Sequence, residues 1–194
     1  MLSDSFLTQL GQLQRLPQTL FCVCLTQRMM PNYQLFAEST EFASGQALRK
    51  YLDLFWEYLA YPKARINFAL QREQFEPLIP ERNHFDVYGV YPAIDCCVSF
   101  DVLFSSILAP EGDEACQASQ ISMGSVMNFL EMQFGELGDE QFSQQPLIEQ
   151  ELAFQQRCYD LACAFKRDHN FIKEVREIAR HEDVSNLGVC LRDE

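Results

Sequence analysis

The chain has 194 residues, of which 47% are hydrophobic and 22% are charged, and its net charge at pH 7 is −13. This composition excludes a disordered chain and a collagen-like repeat, and the length favours one domain over residues 1–194. The negative charge argues against nucleic acid and against an anionic membrane as partners, because both would repel the protein.

The N-terminal segment lacks the pattern of a signal peptide, since Asp4 precedes any basic residue and no continuous apolar stretch follows. No window reaches the roughly 18 consecutive apolar residues of a transmembrane helix. We therefore expect a cytoplasmic protein that does not bind membranes.

The eight cysteines lie in apolar runs such as TLFCVCL, with Cys22 and Cys24, and AIDCCVSF, with Cys96 and Cys97. Zinc bound by these four sulfurs is the alternative, but the C-x2-C spacing typical of structural zinc sites is absent. Buried, reduced thiols in a cytosolic protein are the simpler interpretation.

Hydrophobic periodicity and proline positions predict helices along the whole chain. The predicted segments are 5–16, 18–30, 31–37, 44–60, 66–79, 91–109, 111–137 and 146–181. The second ends before Pro31, because a residue that precedes proline resists the helical conformation, and Pro31 opens the third. Ser44 is the predicted N-cap of the fourth. No strand-like alternation persists, so the fold class is all-α, a single-domain multi-helix bundle.

The segment 91–109 is expected at the centre of the bundle, because it is apolar on almost every side. Its only clearly polar stripe consists of Asp95, Ser99 and Ser106. A helix of this kind is packed on several sides by others.

The last predicted helix, 146–181, is long and is opened by Pro146. Apolar residues recur along it at spacings of three, four and seven residues. Any break is expected at residues 168–170, and the tail 185–191 is expected to be a short extended piece.

Charge is distributed unevenly along the chain. No lysine or arginine occurs between Arg82 and Arg157, whereas twelve acidic residues do. A solvated face is the ordinary explanation. A cation site or a docking surface for a basic partner is the alternative.

Five segments carry a resemblance to a known family. They are RMMPNYQLF (28–36), YLDLFWE (51–57), FDVYGVYPAIDCCVSF (85–100), VMNFLEM (126–132) and SNLGV (185–189). In this order, over nearly the whole chain, they are similar to the YjaG-like family of uncharacterised bacterial proteins. The resemblance implies a compact, largely helical, cytosolic protein, and it brings no activity, substrate or catalytic residue.

The densest polar cluster provides the candidate ligand site. It consists of Asp86, Tyr88, Tyr91 and Asp95, to which Asn32 and Tyr33 are added. Tyrosine hydroxyls beside carboxylates can orient a small polar ligand or relay a proton. The alternative is structural, with the rings packed in the core and the hydroxyls bonded to backbone carbonyls.

Two acidic residues, Asp101 and Glu131, are candidate buried carboxylates, because each lies among apolar neighbours on its helix. A carboxylate in such a position must be paired, protonated, or exposed where helices cross. Arg28 or Arg49 is the expected partner of Asp101. A di-metal bundle would need two Glu-x-x-His pairs, and only Glu81 and His84 fit that spacing. The sequence therefore predicts no metal and no cofactor.

Catalytic motifs are missing: no Gly-x-Ser-x-Gly elbow and no phosphate-binding glycine loop occurs. The favoured hypothesis is therefore a non-enzymatic protein-interaction module that binds another protein or a second copy of itself as a homodimer. The alternative is a small-molecule binder or enzyme with a pocket at 88–95.

Overall fold

A computed structural model describes residues 2–136 and 138–191. Its helices are α1 (Asp4–Gly11), α2 (Arg15–Ser39), α3 (Arg49–Ala60), α4 (Phe68–Phe75), α5 (Val90–Leu108), α6 (Glu114–Phe134), α7 (Asp139–Ser143), α8 (Pro146–Cys163) and α9 (His169–Arg180). Short 3₁₀ turns cover Glu76–Leu78, Arg82–His84 and His181–Asp183. In these ranges the sole β-type pairing is an isolated antiparallel bridge between Val184 and Cys190. The all-α prediction is confirmed.

The helices pack around α2, which contacts α3, α5, α6, α8 and α9. Most of α2 is buried, and α5 packs along it as the second central helix. Trp56 of α3 is also in the core, where it is 2% exposed. Burial of these long apolar faces supplies the main stabilisation of the bundle.

α2 runs without a break through Pro31, so the prediction of two helices separated at that residue is wrong. Proline removes one backbone hydrogen bond and disfavours helix in the residue before it. Here tertiary packing outweighs that preference, because α2 is surrounded by five other helices.

The long C-terminal helix predicted over 146–181 is two helices, α8 and α9, joined by residues 164–168. The break lies slightly earlier than the predicted 168–170 and shares only Asp168 with that range. The Asp168 carboxylate accepts hydrogen bonds from the backbone N–H groups of Asn170 and Phe171, at 3.0 Å each. This N-cap favours the start of a new helix over continuation of the old one.

The other boundaries differ by a few residues from those predicted. α3 begins at Arg49, and the Ser44 hydroxyl accepts from the Gln46 N–H in the preceding turn instead of capping the helix. α1 already ends at Gly11. Such ends are the least determined part of a periodic pattern, because a helix can begin or end at several neighbouring residues with similar energy.

By length and composition α5 alone among the described helices could span a membrane. However, 61% of its apolar window is buried inside the bundle. α5 therefore has the environment of a core helix.

Candidate functional site

An apolar cavity of about 370 Å³ lies between α2, the turn before α5, α6 and the C-terminal segment. We call it the apolar pocket. It is lined by Asn32, Leu35, Phe36, Ser39, Val87, Tyr88, Gly89, Pro92, Phe129, Leu187 and Val189. Its volume is within the usual range for small-molecule sites, roughly 300 to 1,000 Å³.

Local structure explains how these side chains meet. On α2, Asn32, Leu35, Phe36 and Ser39 follow one another at spacings of one to four residues and share one side of the helix. The chain then returns at 87–91 in a tight turn, in which the Tyr91 N–H donates to the Tyr88 carbonyl at 3.0 Å. This turn brings Gly89 close to the side chain of Phe36 on α2 and places the Tyr88 ring near Phe129 of α6.

Asn32 provides a polar group at the buried end of the pocket. The residue is 4% exposed, and its Nδ2 donates to Oδ1 of Asn186 at 2.8 Å. Its own Oδ1 has no hydrogen-bond partner within the described ranges. A buried acceptor without a donor is unfavourable, so a ligand that brings an N–H or O–H group would be stabilised here.

Asn32 is also the end of a buried hydrogen-bond network that crosses the bundle. Asn186 Nδ2 donates to the Ser122 carbonyl at 3.2 Å, and the Ser122 hydroxyl donates to Glu151 at 2.7 Å. Glu151 in turn forms an ion pair with Arg28 at 2.8 Å. The network thus links the pocket to a buried charge pair that was not predicted from the sequence.

Tyr88 forms the aromatic side of the pocket. Its ring centroid lies 6.2 Å from that of Phe129 and 5.6 Å from that of Tyr91. Burial raises the pKa of Tyr88, and the neighbouring Asp95 raises it further. The hydroxyl is therefore a neutral group at physiological pH, able to donate and accept hydrogen bonds.

Asp95 is half-buried next to this aromatic pair but does not line the pocket. Burial raises its pKa, and the side chain of Ser125 partly opposes that effect. Asp95 is therefore a neighbour of Tyr88 and does not itself line the cavity.

The other predicted ligand residues lie away from the pocket. Tyr33 is fully buried in the core, where its hydroxyl donates to the Leu78 carbonyl at 3.0 Å. Asp86 is exposed. Tyr91 is 40% exposed, with the Arg82 guanidinium 5.1 Å from its ring centroid. Of the six predicted residues, Asn32 and Tyr88 share the cavity.

The prediction that Asp101 and Glu131 are buried is wrong. Asp101 pairs with Arg72 at 2.6 Å, and its side chain is 53% exposed, whereas Glu131 is simply exposed. Neither Arg28 nor Arg49 is the partner of Asp101.

The reason is that the outer face of α5 is the one that carries Val98 and Asp101, while its serines lie on a buried face. Its serines face inward: Ser99 bonds the Thr26 hydroxyl at 2.7 Å, and Ser106 bonds that of Thr19 at 3.1 Å. Val98 is 43% exposed on the outer face instead. These small side chains allow α2 and α5 to approach closely. The serine and threonine hydroxyls of the two helices satisfy one another by hydrogen bonding.

Within the described ranges, no three His, Cys, Asp or Glu side chains lie close enough to hold a metal ion. Of the cysteines there, Cys22, Cys24, Cys96, Cys97 and Cys158 are buried, and all eight are free thiols. Burial raises the pKa of Cys22, Cys96 and Cys97, so these thiols are neutral and unreactive.

Comparison with known proteins gives consistent results. The family model described as "Protein of unknown function (DUF416)" matches residues 5–190. The chain is 38% identical to the uncharacterized protein YjaG of Escherichia coli, covering 99% of this chain and 100% of that protein. It is 34% identical to an uncharacterized protein of Haemophilus influenzae, covering 87% and 88%.

The fold is shared with a known crystal structure. The structure of a DUF416 family protein from Shewanella baltica matches this one with a TM-score of 0.88 and 28% sequence identity, covering 97% of this chain and 100% of that one. Family model, relatives and structure agree over almost the entire length. The chain therefore belongs to the DUF416 family.

Proposed function

We propose that this protein is a cytoplasmic binding protein whose apolar pocket takes a small molecule with an apolar body and one hydrogen-bond donor. The proposal rests on which parts of the chain supply the lining residues of the apolar pocket. Ten of the eleven lining residues come from four of the five segments by which the chain resembles its family, namely 28–36, 85–100, 126–132 and 185–189. Only Ser39 lies outside them.

The chemistry of the lining supports this ligand class. Leucine, valine, proline and phenylalanine side chains form most of the surface, so an apolar body gains free energy by leaving water. The unpartnered Oδ1 of Asn32 selects a donor at the buried end. Leu35 and Val87 are each 46% exposed, so the pocket opens to solvent at its rim.

The test uses 1-octanol as the probe and heptyl methyl ether as its isostere without a donor. We expect the alcohol to bind several-fold more tightly, because one net hydrogen bond contributes about 1 kcal/mol. Chemical-shift perturbation of the pocket residues would locate the binding. Equal affinity for both probes would contradict a role for Asn32.

A matched pair of variants separates the pocket from non-specific apolar binding. Leu35→Asp places a charge at the rim, whereas Leu70→Asp changes a leucine of similar exposure, 43%, that does not line the pocket. We expect the first to abolish octanol binding and the second to leave it unchanged. If both variants bind octanol like the parent protein, the proposal fails.

A protein-interaction role is the second candidate, favoured by the outer face of α5. There Tyr91, Val98 and Leu108 are each 40 to 43% exposed. Large exposed apolar side chains on one helix face are typical of a protein–protein interface. We take the partner to be a second copy of this chain, which gives a homodimer. Val98→Asp would then convert a dimer into a monomer in native mass spectrometry, and a monomeric parent protein would contradict this candidate.

A further inference from the structure

A second cavity, of about 390 Å³, lies on a different face of α2. We call it the polar pocket. Its walls come from α2, the start of α3, the end of α9 and the C-terminal segment. In contrast to the apolar pocket, charged and amide side chains dominate it, among them Gln27, Glu38, Arg49, Arg180 and Asp183.

Gln27 lines this cavity and carries an unpaired side-chain donor. The residue is 3% exposed, and its Oε1 accepts a hydrogen bond from the indole N–H of Trp56 at 3.2 Å. Because an indole N–H can only donate, this bond determines which end of the amide is oxygen. The Nε2 group is therefore the free end, and it has no acceptor in the described part of the chain.

Arg49 adds a positive charge to this cavity. It is half-buried at the start of α3 and has no acidic partner within residues 2–136 and 138–191. Arg180 differs, because Asp183 lies 3.5 Å from it and Glu177 lies 3.8 Å from it. In a chain with 28 acidic and 15 basic residues, an unpaired arginine facing a cavity favours an anionic group as ligand.

Acceptors lie on the same walls. The Glu38 carboxylate accepts from Gln34 Nε2 at 3.2 Å and packs against Gly45, where any larger residue would overlap it. Pro31 has no N–H, so the Gln27 carbonyl lacks its usual donor one turn along α2. The cavity thus combines a cation and an amide donor with a carboxylate and a carbonyl.

We propose that the polar pocket binds a small zwitterion of the free amino acid type. The carboxylate of the ligand would pair with the Arg49 guanidinium and with Nε2 of Gln27. The ammonium group of the ligand would pair with the Glu38 carboxylate and with the backbone carbonyl of Gln27. A phosphate ester fits less well, because Glu38 and Asp183 would repel a doubly charged anion. The volume is ample for a molecule of this size.

The test titrates the full-length protein with each of the free L-amino acids by isothermal calorimetry. The best binder is then compared with its decarboxylated amine and its deaminated acid. We expect both analogues to bind at least about tenfold more weakly, because each loses the hydrogen bonds that a charged group makes on one side of the pocket. Inorganic phosphate is the probe for a site that selects only negative charge.

Variants connect the binding to this cavity. Arg49→Gln removes the cation, and Gln27→Glu retains the acceptor for Trp56 while replacing the donor by an anion. We expect each to weaken binding about tenfold or more. Arg72→Gln, a change at a partly exposed arginine outside the cavity, is the control and should bind like the parent protein.

Three results would overturn the proposal. The first is that no amino acid binds to the parent protein. The second is that Arg49→Gln binds as tightly as the parent while circular dichroism shows both to be folded. The third is that the deaminated acid or phosphate binds as tightly as the amino acid, which would show that the ammonium group is not recognised.

Discussion

The guanidinium of Arg28 and the carboxylate of Glu151 lie 2.8 Å apart in the interior of the bundle, with 1% and 0% of their side chains exposed. They are 123 residues apart in sequence and join α2 to α8. The Arg28 guanidinium also lies 4.3 Å from the ring centroid of Phe154. Burial lowers the pKa of Arg28, and Glu151 opposes that effect. Each charge is therefore compensated by the other inside the bundle.

Removing one member of this pair should destabilise the fold strongly. We expect Arg28→Met and Glu151→Gln each to lower the free energy of unfolding by about 3–5 kcal/mol, because each leaves a buried group without its partner. The double variant should lose clearly less than the sum of the two. Urea unfolding of the four proteins measures this coupling, and strictly additive losses would contradict it.

The ion pair at the surface should behave differently. Asp101 and Arg72 lie 2.6 Å apart but are 53% and 41% exposed. We expect Asp101→Ala to change the free energy of unfolding by at most about 1 kcal/mol, because the charged groups of an exposed ion pair are solvated in both the folded and the unfolded state. A loss as large as that of Arg28→Met in the same urea experiment would show that Asp101 is buried in solution.

Stability near Asp95 should depend on pH. Burial raises the pKa of this carboxyl in the folded state above its unfolded value of about 3.9. Folding therefore disfavours the charged form of Asp95. The free energy of unfolding falls as pH rises from the unfolded pKa to the folded pKa of this carboxyl, and it stays lower at neutral pH. We expect Asp95→Asn to be more stable than the parent at neutral pH, with the difference disappearing toward pH 4.

Asp86→Asn is the matched control for Asp95→Asn. It removes one negative charge from an exposed residue of the same region. Thermal unfolding across the pH range should show the stabilisation for the Asp95 variant alone. Equal stabilisation of both variants would attribute the effect to the net charge of −13 instead.

The thiols should fall into separate kinetic classes when the native protein reacts with a thiol reagent. Cys163 and Cys190 are exposed and should react first. Cys116 is partly covered and donates to the Leu7 carbonyl at 3.2 Å, so it should react more slowly. The five buried thiols should react only after unfolding in denaturant. More than three reactive thiols in the native protein would contradict this packing.

The fold class and the central position of α5 could be predicted from the sequence because helical periodicity is a local property. The orientation of α5 could not. Ser99 and Ser106 look like a solvent-facing stripe, and only the positions of Thr19 and Thr26 on α2 make them interior residues. Polarity alone does not distinguish a solvated hydroxyl from one paired inside a bundle.

The buried pair of Arg28 and Glu151 was missed for a related reason, although a signal existed. Glu151 lies on the same stripe of α8 as Ile148 and Cys158, at spacings of three and seven residues. Its position near the start of the helix favours a different role, that of an acid facing the helix dipole. The candidate pocket was partly predictable, since Asn32 and Tyr88 line it, but its apolar character depends on contacts between distant segments.

The C-terminal segment has a consequence for the order in which this chain can complete its fold. Asn186 donates to the Ser122 carbonyl and accepts from Asn32, which lies 154 residues earlier. While the chain is being synthesised, α2 and α6 are finished long before Asn186, which bonds a residue of each, has been added. Asn32 and the Ser122 carbonyl meet this partner only after residue 186 has left the ribosome, so this part of the interior closes late, and the chain must avoid aggregation until then.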